Sequence, residues 1–110
     1  MAARIVQINF TLTVPTEEYA QIGASLTDTF ATLPGLRWKI WLLDEAANRA
    51  GGIYLFEDEA AAQAYVDGPI VASLGSAPFL TDLSVAQFGI MDDITAATRG
   101  PVALAGALGD

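Results

Sequence analysis

The sequence predicts an α+β fold, in which two helices cover one face of a four-stranded antiparallel sheet. Residues 4–14 alternate strictly between apolar and polar side chains, which is the period of a strand with one buried face. Residues 16–33 instead repeat apolar side chains at spacings of three and four, which is the period of a helix. The rest of the chain supplies two more strands, a helix and a last strand, so we predict the order βαββαβ.

The predicted first helix begins after Pro15, with Thr16 as its candidate N-cap residue, and ends at Pro34 and Gly35. Burial of its apolar stripe, at about 1.5–3 kcal/mol for each side chain, outweighs the roughly 1 kcal/mol that Gly23 costs within a helix. The stripe comprises Tyr19, Ile22, Leu26, Phe30 and Leu33.

The predicted second strand, residues 36–44, has large side chains on both faces. One face is expected to carry Leu36, Trp38, Ile40 and Leu42, and the other Arg37, Lys39, Trp41 and Leu43. Both faces therefore need cover, one from the helices and the other from a partner subunit or a cavity. A polar hairpin loop leads to the third strand, where residues 51 and 52 are glycines that allow a bulge or a close approach of backbones.

The C-terminal half begins at Asp58, which we expect to cap a helix over residues 60–66. A short helix at 69–74, a fourth strand at 80–91 and a last short helix at 94–99, capped by Asp92 or Asp93, are predicted to follow. Burial of one sheet face under helices makes this order a ferredoxin-like βαββαβ sandwich. We expect a single domain over residues 1–99, with residues 100–110 as a tail that is either frayed or packed on a partner subunit.

The composition indicates assembly with a second copy. Of 110 residues, 53% are hydrophobic and only 16% charged, which is more apolar surface than a monomer of this size buries easily. Two sheets facing each other in a homodimer would form a dimeric α+β barrel. The net charge of −8 argues against nucleic acid and anionic membranes as partners and fits a protein that handles a small-molecule substrate. No signal pattern or membrane span is recognisable, so we expect a cytoplasmic protein.

The residue types that are absent narrow the chemistry. The chain has no cysteine and no histidine, which excludes a thiolate nucleophile and a Ser-His-Asp triad and removes the commonest metal ligands. The acidic pairs at Asp44-Glu45 and Glu57-Asp58 are explained by a solvated hairpin loop and by helix capping. We therefore predict no metal site.

Several short motifs together resemble the YdhR-like monooxygenase family of the dimeric α+β barrel superfamily. They are Gln-Ile-Asn-Phe at 7–10, Leu-Arg-Trp-Lys-Ile-Trp at 36–41, Ala-Gly-Gly-Ile-Tyr-Leu-Phe at 50–56, Asp-Glu at 58–59 and Ala-Tyr at 64–65. The resemblance covers roughly residues 4–93. It implies a homodimer with a ligand cavity between sheet and helices, and a cofactor-independent oxidation of polycyclic phenols or aromatic polyketides. Asn9 stands where some relatives carry a histidine, so an acid/base role at that position is lost or moved here.

Aromatic and polar side chains near the second strand are the candidate site residues. Asn9, Lys39 and Tyr54 are the candidate catalytic groups, because a cofactor-free oxygenation must promote deprotonation and stabilise an anion. The substrate-binding candidates are Gln7, Trp38, Trp41, Tyr54 and Tyr65, since a flat ring stacks on aromatic side chains. The same tryptophans and tyrosines equally suit a core or a subunit interface. A non-oxidative isomerase, cyclase or lyase and a non-catalytic ligand-binding module are the alternative functions.

Overall fold

A computed structural model describes residues 2–102 as four strands and five short helices. In chain order they are β1 (Arg4–Leu12), α1 (Thr16–Ser25), α2 (Thr27–Ala31), β2 (Leu36–Asp44), β3 (Arg49–Phe56), α3 (Glu59–Val66), α4 (Pro69–Gly75), β4 (Leu80–Phe88) and α5 (Asp92–Ala97). The order of the elements and the antiparallel sheet confirm the ferredoxin-like α+β fold.

The sheet has the strand order β2-β3-β1-β4, and every neighbouring pair is antiparallel. At the centre of the sheet, Ile8 of β1 lies opposite Gly52 of β3 on one side and Val85 of β4 on the other. Because side chains alternate across a strand, this register fixes which residues of the four strands share a face.

The hydrophobic core lies between the sheet and the helices. The even-numbered residues of β1 point into it, as their alternation predicts, and α2, α3 and the ends of β3 and β4 complete it. Its buried members are Val6, Ile8, Phe10, Leu12, Phe30, Ala50, Tyr54, Phe56, Ala62, Tyr65 and Leu80.

The predicted first helix is in fact two helices that meet at Leu26. Around this junction, Ser25 Oγ donates to the carbonyl of Ile22 at 2.6 Å and Thr27 Oγ1 to that of Ala24 at 3.1 Å. Such bonds from side chain to backbone compete with the helical pattern and bend the chain. Thr16 is not the N-cap residue, because the helix already begins at Thr16 and Pro15 precedes it as the cap. The Thr16 hydroxyl donates to Glu45 Oε2 at 3.1 Å.

The predicted face pattern of β2 is wrong at its first residue. Leu36 pairs with Phe56, whereas Trp38 pairs with Leu55, so a register shift separates the two. Leu36 consequently packs against the helix-side core, while Trp38 lies on the opposite face. From Trp38 onwards the alternation holds, with Lys39 and Trp41 toward the helices.

Other element boundaries differ by a few residues. β1 ends at Leu12 and β4 at Phe88, both earlier than predicted. The final helix begins at Asp92, and neither Asp92 nor Asp93 caps it through a side chain. Asp58 does cap α3, since its Oδ1 accepts the N–H of Ala61 at 2.8 Å.

The segment after β4 reaches the sheet face opposite α1–α4. Trp38 Nε1 there donates to the carbonyl of Pro101 at 2.7 Å. The rest of the predicted tail, residues 103–110, lies outside the described residues. Among residues 2–102 no helix has the length and apolar character that a membrane crossing requires.

Candidate active site

The side chain of Lys39 ends among aromatic rings on the helix side of the sheet. Its ammonium nitrogen lies 3.4 Å from the ring centroid of Phe30, 3.4 Å from that of Trp41 and 4.7 Å from that of Tyr54. We call these three rings the aromatic box. A cation over a ring face gains about 0.5–2 kcal/mol, so the box can hold a protonated lysine.

Two glycines make room for this arrangement. A side chain at Gly52 would place its Cβ 2.9 Å from Lys39 Cε, so the absence of one lets the lysine stem cross the sheet surface. A Cβ at Gly23 of α1 would lie 3.3 Å from the Trp41 ring. This contact explains a glycine within a helix, where it otherwise costs stability.

Lys39 has no acidic partner in the part of the chain that the structure describes. Both ion pairs of that part use arginine, Arg4 with Glu59 and Arg37 with Glu57. Burial lowers the pKa of the Lys39 ammonium to about 7, while the ring faces act in the opposite direction by favouring the charged form. Neutral amine and ammonium are therefore both accessible near neutral pH.

Tyr54 and Tyr65 form a buried pair next to the box. The hydroxyl of Tyr65 donates to that of Tyr54 at 3.0 Å, and the ring centroids lie 4.9 Å apart. Burial raises the pKa of both phenols, to about 12 for Tyr65 and further for Tyr54. Both are neutral at physiological pH, and because Tyr65 gives its proton to Tyr54, the hydroxyl of Tyr54 is the one that can donate a hydrogen bond to a ligand.

Trp41 stands between a small cavity and an open groove. The cavity, which Lys39 and Tyr54 line, has a volume of about 30 Å³, enough for one or two water molecules. The groove beyond has about 370 Å³ and shares Tyr19, Gly23 and Trp41 with the cavity. A ligand of drug size needs about 300–1,000 Å³, so an aromatic molecule that enters through this groove reaches Lys39 only if the Trp41 ring moves aside.

Two further hollows of about 310 Å³ each flank the core. One lies between α2 and α4 and shares Phe30 and Leu74 with the small cavity. The other is lined by Phe56, Tyr65 and apolar residues of α3 and α4, and Lys39 is not among its lining residues. The hollow between α2 and α4 is therefore another route toward the aromatic box, besides the groove at Trp41.

The structure divides the predicted site residues between the two faces of the sheet. Lys39, Trp41, Tyr54 and Tyr65 come together on the helix side. Gln7, Asn9 and Trp38 lie on the opposite face, because β1 places its odd-numbered residues there and β2 shifts register before Trp38. On that face Gln7 Nε2 donates to Asn9 Oδ1 at 3.0 Å.

Sequence reasoning missed two residues of the site, Phe30 and Tyr19. Both belong to the apolar stripe that was predicted for the first helix, and both line the small cavity. The stripe indicates that they are buried, but not which strand residues they meet. Gly52 and Gly23 were a usable signal, since each marks a place where a large side chain approaches closely.

Comparison with family models identifies the fold family. The model described as "Putative mono-oxygenase ydhR" matches residues 5–101 of the chain. The chain belongs to this family. A search of curated proteins finds no match to this YdhR-family chain.

Solved structures with the same fold carry different chemistries. The cofactor-independent oxygenase SnoaB from Streptomyces nogalater is 17% identical, with a TM-score of 0.66 over 86% of this chain and 98% of its own. The haem degrader MhuD from Mycobacterium tuberculosis, whose structure holds two haems in its active site, is 22% identical, with a TM-score of 0.62 over 81% and 97%. A dimeric ferredoxin-like protein from Thermobifida fusca is 23% identical, with a TM-score of 0.60 over 82% and 93%. At these identities the likeness shows the fold alone, and the chemistry of this YdhR-family chain must be argued from its own site.

Proposed function

We propose that the protein is a cofactor-independent monooxygenase that acts, as a homodimer, on a planar aromatic substrate of the polycyclic phenol or aromatic polyketide class. The observation that carries this proposal is the aromatic box around Lys39, a cation without an acidic partner among residues 2–102, in a member of the YdhR family. The cofactor-independent oxygenase SnoaB shares the fold.

The substrate itself supplies the electrons in such a reaction. A CH₂ group between aromatic rings loses a proton, and the resulting carbanion passes an electron to O₂. The two radicals combine to a peroxide, which loses water and leaves a carbonyl, so that CH₂ and O₂ become C=O and H₂O. The protein has to hold the flat ring, accept the proton and stabilise the anion.

The residues around Lys39 suit two of these tasks, which are to hold the flat ring and to stabilise the anion. Phe30 offers a ring face on which a planar molecule stacks once the Trp41 ring has moved aside. The hydroxyl of Tyr54 accepts the bond from Tyr65, which leaves its own proton for donation to an oxyanion. The protonated Lys39 adds a positive charge in a largely apolar cavity, where an anion gains most from it.

Access to the site proceeds, in this proposal, by rotation of Trp41. Its indole is partly exposed, 39%, although it packs edge-on against Phe30 at a centroid distance of 5.3 Å. Displacing the ring joins the small cavity to the open groove and lets a substrate ring take its place over Lys39. Trp41→Ala is expected to weaken the selection by size and to admit ligands more quickly.

The homodimer is supported by exposed apolar side chains on the sheet face opposite α1–α4. Ile40 of β2 and Phe88 of β4 lie on this face, and they are 48% and 50% exposed. Apolar surface of this kind marks an interface, and a second copy, which presents the same face, would cover it by closing the barrel. Gln7 and Asn9 would then lie between the two sheets.

Oxygen uptake tests the proposed reaction. The purified protein, in buffer with a metal chelator, is given anthrone-type and flavonol-type substrates, and O₂ consumption and product are measured. We expect one O₂ consumed for each anthrone oxidised and one atom of ¹⁸O₂ in the carbonyl formed. No turnover across the panel by an intact dimer would contradict the proposal.

Two other outcomes identify the alternatives. Conversion that persists without oxygen would indicate an isomerase, cyclase or lyase. Saturable quenching of tryptophan fluorescence by a ligand that stays unchanged would indicate a binding module.

A further inference from the structure

Building on the proposed function, we infer that Lys39 is the catalytic base, whose neutral amine takes a proton from a weakly acidic aromatic substrate and whose ammonium then holds the resulting anion. The ligand class is a planar carbon acid or phenol, bound over Lys39 in the space that the Trp41 ring leaves when it moves aside. Because the inference concerns the proton transfer alone, it can be tested without oxygen.

The position of the amine is the first support. Lys39 reaches inward from an edge strand, and its nitrogen lies within 3.4 Å of two ring centroids on the helix side of the sheet. A lysine that served solubility would point to solvent, and one that served an ion pair would have a carboxylate nearby. Among residues 2–102 no carboxylate lies within 4.0 Å of it.

The neighbouring titratable groups are the second support. The phenols of Tyr19 and Tyr54 line the same cavity, and Tyr65 joins them through its hydrogen bond to Tyr54. Burial raises the pKa of all three, so none of them accepts a proton near neutral pH. The pKa of Lys39, lowered to about 7 by burial, is near the working pH that general base catalysis favours.

The charge balance of the step explains its selectivity. The substrate C–H bond breaks, its proton forms a new N–H bond on Lys39, and its electron pair stays on the substrate as a delocalised carbanion. One cation and one anion thus appear together in an apolar cavity, where their attraction is strongest. A molecule of the same shape without a removable proton gains nothing from Lys39 and binds only through its rings.

The sequence makes the test direct, because Lys39 is the only lysine in the chain. Labelling lysine with ¹³C at Cε therefore gives a single side-chain NMR signal, whose chemical shift reports the protonation of that one amine. The titration is recorded for the free protein and with anthrone under nitrogen. The control ligand is 10,10-dimethylanthrone, which has the same ring system and no proton at that carbon.

We expect the signal to titrate near pH 7 in the free protein and to stay in the ammonium form, up to higher pH, when anthrone is bound. The dimethyl compound should leave the titration unchanged. A titration at the ordinary value for lysine, about 10.4, unaffected by anthrone, would overturn the inference.

Variants provide a second measurement under nitrogen, which is the absorbance of the anthrone anion formed on the protein at pH 7.5. Lys39→Met keeps the aliphatic stem and removes the amine, and Lys39→Gln replaces it if Lys39→Met does not fold. Arg37→Met, at an exposed position of the same strand, is the matched control. The amount of anthrone anion should fall at least tenfold in either Lys39 variant and stay at the wild-type level in Arg37→Met. Under oxygen, kcat should fall by about 10²–10⁴-fold, the usual contribution of a general base.

The outcomes separate this inference from the proposed oxygenation. Oxygen uptake at the wild-type rate in Lys39→Met would refute Lys39 as the base while the oxygenase proposal stands. Lys39-dependent formation of the anion without oxygen uptake would refute the oxygenase and leave the proton transfer in place.

Discussion

The two neighbouring glycines of β3, Gly51 and Gly52, should respond very differently to substitution by alanine. A Cβ at Gly51 would lie 2.0 Å from the backbone oxygen of Ile8 and 3.0 Å from Asn9 Cα. A Cβ at Gly52 would instead meet the side chains of Lys39, at 2.9 Å, and Tyr54, at 3.1 Å. The first obstacle is the backbone of the adjacent strand, and the second includes the mobile end of a lysine.

The magnitudes follow from the movement that each contact requires. To reach an ordinary contact of 3.4 Å, Gly51→Ala needs 3.4 − 2.0 = 1.4 Å of strand separation, whereas Gly52→Ala needs 3.4 − 2.9 = 0.5 Å of side-chain movement. A strand separation of 1.4 Å breaks the hydrogen bonds between β1 and β3 near Gly51. In Gly51→Ala, overpacking of about 1–3 kcal/mol therefore adds to the loss of these bonds, at about 0.5–1.5 kcal/mol each. Because alanine also regains about 0.5–1 kcal/mol over glycine here, we expect about 3 kcal/mol for Gly51→Ala. Gly52→Ala also costs overpacking of about 1–3 kcal/mol, but alanine regains about 0.5–1 kcal/mol over glycine within a strand. We therefore expect a net loss of about 1 kcal/mol for this variant.

Urea denaturation of both variants and the wild type, at equal protein concentration, measures the difference. Gly52→Ala should remain folded, with a slightly lower midpoint, and its Lys39 signal should titrate closer to the ordinary value because the stem is pushed outward. Gly51→Ala should be largely unfolded, or lower the midpoint several times more. Equal midpoints would refute the reasoning, since they would mean that β1 and β3 separate without cost.

Three further predictions concern the tyrosine pair, the lysine and the sheet face opposite α1–α4. Tyr65→Phe should cost about 1–3 kcal/mol because it leaves the buried hydroxyl of Tyr54 without its donor, whereas adding Tyr54→Phe should restore part of that loss in a double-mutant cycle measured by denaturation. Between pH 7 and about 10 the unfolded chain binds the Lys39 proton and the folded protein does not, so the free energy of unfolding should rise with pH in the wild type and stay flatter in Lys39→Met. Ile40→Glu should convert the proposed dimer to a monomer in light scattering, and a variant that stays dimeric would place the interface elsewhere.

Local periodicity was sufficient for much of the fold. The alternation in β1 places Val6, Ile8 and Phe10 in the core because period two depends only on the backbone of one strand. The register shift after Leu36 could not be predicted in this way, since it depends on how β2 pairs with β3. The break between α1 and α2 at Leu26 could not be predicted from periodicity either, and it determines where Phe30 meets the sheet.

The candidate site was predictable to a similar degree. Lys39 and Trp41 share a face by alternation, and pairing of the two strands brings Tyr54 beside them. The alternation could not tell which face meets the helices, so Trp38 and Trp41 were equal candidates until the pairing was known. The roles of Gln7 and Asn9 stay predictions, because they depend on the second copy that would face them.

The placement of the single lysine argues for a role other than stability. The chain has thirteen acidic residues and five basic ones, so a lysine placed for an ion pair would have found partners easily. Lys39 instead loses hydration in an apolar cavity, which costs folding free energy whenever the amine is protonated.

Methionine would fill the same space without that cost, so Lys39→Met should be more stable than the wild type below pH 7. A gain in stability together with a loss of proton transfer is the pattern expected of a functional residue that its fold holds at a disadvantage. A loss of both would show instead that the ring faces make Lys39 part of the core.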